Sequence, residues 1–295
     1  MSSVLFDLAK KEVVADYKLA TPTDSLDKFL VILQALIDPL LERAKSSFAN
    51  SASVATSAKG AATADKKEGG SIVKIGVGVP GVVERPPAEN KEGKILHCQN
   101  LTILNGVKLG EWLTNKYQLP VVIDNDTHCF LLAELALGAA KNSANAIGVT
   151  LGTGIGGAVS IQHEVYRGVH GSAGEINGLI VDVVDGTPMT LENVYHQLTQ
   201  NNPLTLSEEA YRGDQLAVKA YQEVGKFLGL ALAGIVNIID PEIIVIGGSA
   251  MGSSDLFMAE VKKHLKAAII SPKLKKIKIV PAKLGQAGEI GAALL

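Results

Sequence analysis

Two short apolar runs, Val4-Leu5-Phe6-Asp7 and Val13-Val14-Ala15-Asp16-Tyr17, flank the polar Lys10-Lys11-Glu12 and predict a β-hairpin at the start of the chain. After the cap-like cluster Thr21-Pro22-Thr23-Asp24-Ser25, the apolar residues Leu26, Phe29, Leu30, Leu33, Ile37, Leu40 and Leu41 recur with a helical period. That pattern predicts one amphipathic helix, kinked at Pro39. From Ala44 to Ser71 the sequence turns to Ala, Ser, Thr, Lys and Gly, too poor in large apolar side chains to order itself by burial. A flexible surface insertion is expected over 44–71, with a helix continued through the alanines as the alternative. Ile72 to Val77, Val121 to Asp124, Ala146 to Leu151, Ala158 to Ile161, Ile243 to Ile246 and Ile277 to Val280 read as strands. Phe130 to Ala140, Ser207 to Ile239 with a break near Gly213, Glu260 to Ile269 and Glu289 to Leu295 read as helices, and a polar stretch out to Lys94 reads as a loop. The elements fall into two successive sets, each a hairpin followed by alternating helices and strands, which predicts an α/β protein with a duplicated core.

Composition narrows the function classes. At 295 residues the chain can hold two domains with separate cores, and 47% hydrophobic with 20% charged residues is the balance of a folded globular protein. A net charge of −2 gives no broad basic field, so nucleic-acid binding by this chain alone is disfavoured. Cys98 and Cys129 lack C-x-x-C spacing and fit reduced thiols in a cytoplasm. Neither a long charge-free apolar run nor a secretory pattern is visible, so no membrane segment is expected.

Two segments match G-x-G-x-x-G: Gly76-Val77-Gly78-Val79-Pro80-Gly81 and Gly152-Thr153-Gly154-Ile155-Gly156-Gly157. A dinucleotide fingerprint needs a helix after it, yet Ala158-Val159-Ser160-Ile161 is β-prone and Val82-Val83-Glu84-Arg85-Pro86-Pro87 cannot propagate a helix, so the Rossmann reading is rejected. A hairpin turn made of glycines can instead bring bare N–H groups to phosphate oxygens, with Thr153 adding a hydroxyl; a tight turn needing positive φ is the plainer explanation. Gly247-Gly248-Ser249, after a buried strand, is a second place where backbone could lie against a flat ligand. Asn125-Asp126 stands where a strand ends and a helix begins. There Asp126 is either an N-cap or a carboxylate kept ionised by the helix terminus and able to accept a proton, and position alone leaves both open. The six histidines show no metal-ligand spacing, so no metal site is assigned. No G-x-S-x-G elbow is present.

In order along the chain, these residues resemble the ROK (repressor, open reading frame, kinase) family of sugar kinases and sugar-responsive repressors. Gly76 to Gly81 is similar to its G-x-G-x-P-G loop, Gln99-Asn100-Leu101 to its N-L segment, and Pro120 to Asp126 to P-V-x-x-x-N-D. Leu151 to Gly157 is similar to its second phosphate loop, Ala173-Gly174-Glu175 to A-G-E, and Leu228 to Gly248 to the adenosine segment ending in D-P-x-x-I-x-x-G-G. The resemblance implies an actin-like ATPase (ribonuclease H-like) fold of two α/β domains around a cleft, over 1–126 and 127–295, with the last helix (about 285–295) packing back on the first. It implies a glucokinase-like enzyme that phosphorylates a hexose or amino-hexose, or else a non-catalytic sugar-binding pseudokinase or repressor effector domain. Asp126 would be the base; Gly81, Asn100, Asn125, Glu175 and Glu192 would bind sugar; and Gly152, Thr153, Gly154, Gly156, Gly157, Gly247, Gly248 and Ser249 would bind ATP, with Mg2+ arriving on the nucleotide. A cytoplasmic homodimer without membrane contacts is further implied.

Three departures stand out. The family's D-x-G-G-T loop is expected just before Val4, where this chain begins. Ile176-Asn177-Gly178 replaces the x-G-H that follows A-G-E, and the C-x-C-G-x-x-G-C zinc cluster between Glu175 and Glu192 has no cysteines, although Leu191-Glu192 resembles the L-E that closes it. The protein is therefore expected to keep its fold after exhaustive chelation. Metal analysis and a melting curve check this; one zinc per chain, lost together with the fold, is the contrary result.

Overall fold

The structure, a computed structural model, describes residues 1–54, 72, 74–84 and 93–295. It divides into two compact units, Met1–Asp124 with Ala292–Leu295, and Asn125–Gly291.

The first unit opens with β1 (Ser2–Asp7) and β2 (Glu12–Lys18), the antiparallel hairpin that the apolar runs predict. Asp7 makes its turn, accepting the Ala9 and Lys10 N–H groups on Oδ1 at 2.9 Å each. Helix α1 (Leu26–Val54) follows, with Pro39 inside it and Phe29, Leu33, Leu36, Ile37 and Leu40 buried. The helix runs on through 44–54, which corrects the expected irregular insertion over its first part. Extending an existing helix adds a hydrogen bond for each residue fixed, and alanine is the best helix former, so 44–54 needs no large apolar face to stay helical. The rest of that insertion, 55–71, lies outside the described residues, as does 85–92 of the expected loop.

Then come β3 (Ile75–Val79), β4 (Val82–Val83), β5 (Ile95–His97), α2 (Leu109–Tyr117) and β6 (Val121–Asn125). Among the described residues the strands of this unit pair two by two, β1 with β2, β3 with β6 and β4 with β5, rather than in one continuous sheet. Phe29 and Leu33 of α1, Val79, Ile95, Leu113 and Ile123 share one core.

The second unit contains α3 (Asp126–Ala136), β7 (Ala146–Leu151), β8 (Ile155–Ile161), β9 (Glu164–Tyr166), β10 (Ile180–Val184), β11 (Thr187–Thr190), α4 (Leu191–Thr199), α5 (Pro203–Tyr211), α6 (Gln215–Ile239), β12 (Ile243–Gly247), α7 (Met258–Ala268), β13 (Lys278–Pro281) and the first part of α8 (Ala287–Leu294). One five-stranded sheet, in the order β13-β12-β7-β8-β9, organises it; β13, β12 and β7 run parallel, while β8 and β9 are antiparallel additions. Ile244 pairs with Ile147 and Ile246 with Val149, so both strands send residues into a core shared with Leu228, Leu232 and Val236 of α6. Helix α6 is long and apolar enough to cross a membrane by composition, but its buried side chains are the spine of this core. The break expected near Gly213 falls between α5 and α6, where Asp214 caps α6 by accepting the Leu216 and Ala217 N–H groups. Helix α3 starts at Asp126, four residues before the apolar run that predicted it, because Asn125 caps it.

A buried carboxylate ties this unit together. Glu134 on α3 is fully buried; Oε2 accepts the Ala139 N–H at 2.6 Å, and Oε1 accepts those of Lys283 and Leu284 at 3.0 and 2.9 Å. Removing it leaves these amides unpaired, and a buried donor without a partner costs about 1–3 kcal/mol. Glu134→Ala is therefore expected to lower unfolding stability by about 3 kcal/mol or more. Denaturant titration measures this, and a loss below about 1 kcal/mol would show that water takes over the role.

Candidate functional site

The site begins at the start of α3. Asn125 has an extended backbone (φ −64°, ψ 143°), and its Oδ1 accepts the Thr127 and His128 N–H groups at 2.8 and 3.1 Å. The cap is therefore Asn125; Asp126 stands at the first helical position and is not the cap. Its side chain is open to solvent, yet protein crowds the carboxyl closely enough that desolvation pushes its pKa up to about 6. The negative charge of Glu175 adds to the rise, while the Thr127 N–H and hydroxyl and His128 oppose it. A helix N-terminus by itself lowers a carboxylate pKa; here desolvation by the surrounding protein outweighs it. The outcome is a carboxylate poised just below neutrality, ionised at pH 7 and basic enough to take a proton.

Beside it runs the glycine hairpin. None of Gly152, Gly154, Gly156 and Gly157 has a positive φ, so the turn-geometry explanation fails. What excludes a side chain is proximity. A β-carbon at 156 would overlap the hydroxyls of Thr127 and Thr150, which lie 3.2 Å apart, and one at 157 would overlap the Gly174 carbonyl and Ile176. Gly156 and Gly157 thus let β8 lie against the start of α3 and against the loop that carries Glu175. At 154 a β-carbon would strike Glu192 Oε1, whereas at 152 it would meet only Ser249 Oγ, at 3.4 Å. Thr153 is exposed at the tip.

Because β7 and β12 are parallel, their carboxyl ends deliver the glycine turn and Gly247-Gly248-Ser249 to the same edge of the sheet. Gly248, at φ +94°, fits against Leu151 with no room for a side chain. Asp126, Glu175, the glycine turn, Gly247, Gly248 and Ser249 are thereby brought together in the second unit. Glu192, which the resemblance assigns to a sugar hydroxyl, has a buried carboxylate, with Oε2 accepting the Ile155 N–H at 2.9 Å and Oε1 3.0 Å from His196 Nε2. In the first unit, Gly81 turns tightly against His97 and Cys98, and Asn100 is exposed shortly after β5. Among the described residues no three or more His, Cys, Asp or Glu side chains converge on a metal-sized site.

Comparison with known proteins agrees with the order of these motifs. The model of the ROK family matches residues 56–189 and 183–295. The chain belongs to the ROK family. It is 31% identical over 221 residues to a putative xylose repressor of Caldicellulosiruptor sp., covering 65% of this chain and 54% of that protein. It is 29% identical over 261 residues to a glucokinase of Halalkalibacterium halodurans, covering 78% of this chain and 77% of the relative. The chain thus spans about half the length of the repressor and about three quarters of the glucokinase. The structure of a ROK glucokinase from Streptomyces griseus in complex with glucose and AMPPNP superposes with a TM-score of 0.73 at 22% identity, over 98% of this chain and 93% of that one. The fold is that of the actin-like ATPases, and ROK relatives of this chain include both sugar kinases and repressors.

Several site residues of this ROK chain escaped the sequence reading. His128 is buried and its Nε2 lies 3.0 Å from the Ala173 carbonyl, pinning the loop before Glu175. Thr127 and Thr150 form the hydroxyl pair, and Tyr195 donates to the Gly152 carbonyl at 2.7 Å. No motif spacing marks them, because each acts through a neighbour distant in sequence. Between Glu175 and Glu192, where the family resemblance places a zinc cluster, β10 and β11 form an antiparallel hairpin turned at Asp185-Gly186, both at positive φ (48° and 78°).

If β8 is glycine-bearing for proximity, Gly156→Ala should destabilise the protein by about 1–3 kcal/mol through overpacking. Gly178→Ala, where no atom lies within 4 Å of the added β-carbon, should be near neutral. Melting curves of the pair decide; equal stabilities would refute the packing account.

Proposed function

We propose that this chain is an ATP-dependent sugar kinase acting on a hexose or amino-hexose, with Asp126 as general base. The observation that carries the reading is a solvent-reachable carboxylate with its pKa raised to about 6, beside Glu175 and a Cβ-poor turn at the carboxyl end of a parallel strand pair. Phosphoryl transfer asks a protein mainly for positioning and charge stabilisation, with one acid group to receive the hydroxyl proton. ATP, when bound, supplies the phosphoryl group and brings Mg2+. In this reading Thr153, Gly154 and the backbone at Gly248-Ser249 hold the nucleotide, Thr153 being exposed at the tip of the turn and Gly248-Ser249 following the parallel strand beside it. Asp126 accepts the proton of the attacking hydroxyl while Asn125 and Glu175 orient the sugar.

A second reading, a sugar-responsive regulator without transferase activity, is supported by the repressor among the relatives. A coupled ADP-release screen over hexoses and their amino derivatives, run beside calorimetric sugar binding, separates the two. Sugar binding with no ADP release from any sugar favours the regulator.

For the kinase, Asp126→Asn is expected to lower kcat about a hundredfold or more while sugar affinity changes little. The pH dependence has a definite sign. Above a pKa of about 6 Asp126 is ionised and competent; below it the carboxyl is protonated, so kcat/KM should fall about tenfold per pH unit on the acid side. A profile flat down to pH 5, or unchanged kcat in the Asn variant, rules Asp126 out as the base.

A further inference from the structure

Helix α4 carries a polar side chain that the kinase reading leaves without a role. His196 Nε2 lies 3.0 Å from Glu192 Oε1, one helical turn back, and His196 Nδ1 is buried without a hydrogen-bond partner among the described residues. A carboxylate can only accept, so Nε2 is the donor. The other carboxylate oxygen, Oε2, accepts the Ile155 N–H at 2.9 Å. One oxygen is therefore bound by the histidine and the other by the Ile155 N–H, and together these bonds fix the rotation of the group. Oε1 occupies the space that a β-carbon of residue 154 would need, so the turn is moulded against this carboxylate. At the other end of the turn Tyr195 donates to the Gly152 carbonyl at 2.7 Å. Helix α4 is itself firmly started, by a capping box between Thr190 and Asn193. It thus grips both ends of the loop between β7 and β8. A buried ring nitrogen with no partner is unfavourable. An apolar residue at 196 would avoid that, but would leave Glu192 Oε1 without its donor and free the carboxylate to swing off Ile155.

We propose that His196 is a positioning residue for nucleotide binding, acting through Glu192 to hold the Gly152–Ile155 turn in the single shape that offers its remaining backbone N–H groups to a phosphate. The role rests on the nucleotide reading above. It requires no contact between His196 and any ligand.

The test uses the whole chain, with AMPPNP and glucose as probes. In His196→Ala, exchange of the Ile155 amide in the unliganded protein should speed up about tenfold, the weight of one hydrogen bond. AMPPNP affinity by calorimetry should drop by a similar factor of about ten while glucose affinity stays unchanged. His196→Gln, which keeps an N–H near the position of Nε2, should recover both. A melting curve confirms that each variant is folded; should the alanine variant not fold, His196→Asn, whose shorter amide falls short of Glu192, replaces it against His196→Gln. Unchanged Ile155 exchange overturns the proposal, as does unchanged AMPPNP affinity or an equal loss of glucose binding. Wild-type protein that binds glucose but not AMPPNP overturns the nucleotide reading instead, and Ile155 exchange alone then decides whether the clamp exists.

Discussion

Strand β8 passes the first turn of α3 with no space for a β-carbon at Gly156, and the Thr127 and Thr150 hydroxyls occupy the gap. The arrangement of the site follows from this approach. It brings the start of α3 against the hairpin, and at Gly157 the same strand lies under the Gly174 carbonyl, which draws in the loop bearing Glu175. Crowding has an electrostatic consequence as well. Desolvation raises the Asp126 pKa, and the nearby Glu175 adds to it, so packing that looks purely steric also tunes the acid. A helix N-terminus favours a carboxylate by roughly 0.3–1 kcal/mol at an exposed site, a modest force for burial to overcome.

The turn itself is held from behind. Tyr195 and Glu192 contact its two ends from α4, and burial pushes the Tyr195 hydroxyl, neutral at ordinary pH in any case, still further from ionisation. Backbone N–H groups bind phosphate well only when their directions are set beforehand, because reorganisation at the moment of binding subtracts from the interaction. A Cβ-poor turn is by nature mobile. Its stiffness must come from outside, and in this chain it comes from neutral and acidic side chains of one capped helix.

Much of the architecture was legible because it rests on local periodicity. The opening hairpin, the buried strand before Gly247-Gly248 and the helix break at Gly213 each have a signal within a few residues, and each is present. Failures have physical causes. Helix α2 was missed because its apolar stripe is only Leu109, Trp112 and Leu113, too short to stand out from a loop. The β10–β11 hairpin has a local signal in its Asp185-Gly186 turn, but its strands are short and mostly exposed, so no apolar alternation marks them. For the glycines, a sequence shows that a side chain is absent, not whether φ or a neighbour forbids it, and only the positive-φ alternative is excluded at Gly152, Gly154, Gly156 and Gly157. His128, Tyr195 and His196 were invisible for the same reason, since what each one touches is set by tertiary packing.

The division of labour between Asn125 and Asp126 bears on why one scaffold serves both kinases and regulators. Asn125 supplies the cap, and its oxygen alone takes two backbone N–H groups, so the start of α3 is secured without Asp126. The Asp126 side chain accepts a long hydrogen bond, 3.4 Å from the Thr127 hydroxyl. An acid at the first helical position gains a few tenths of a kcal/mol from the helix dipole when exposed, and desolvation works against even that. Folding therefore asks little for a carboxylate at this place. Sugar recognition asks for it only as one hydrogen-bond acceptor, which an amide oxygen could also provide. Proton abstraction is the one task for which an amide cannot stand in, because an amide has no useful basicity near neutrality. In the proposed kinase reading, a desolvated aspartate at this place would serve proton abstraction, a task that sugar binding alone would not set it.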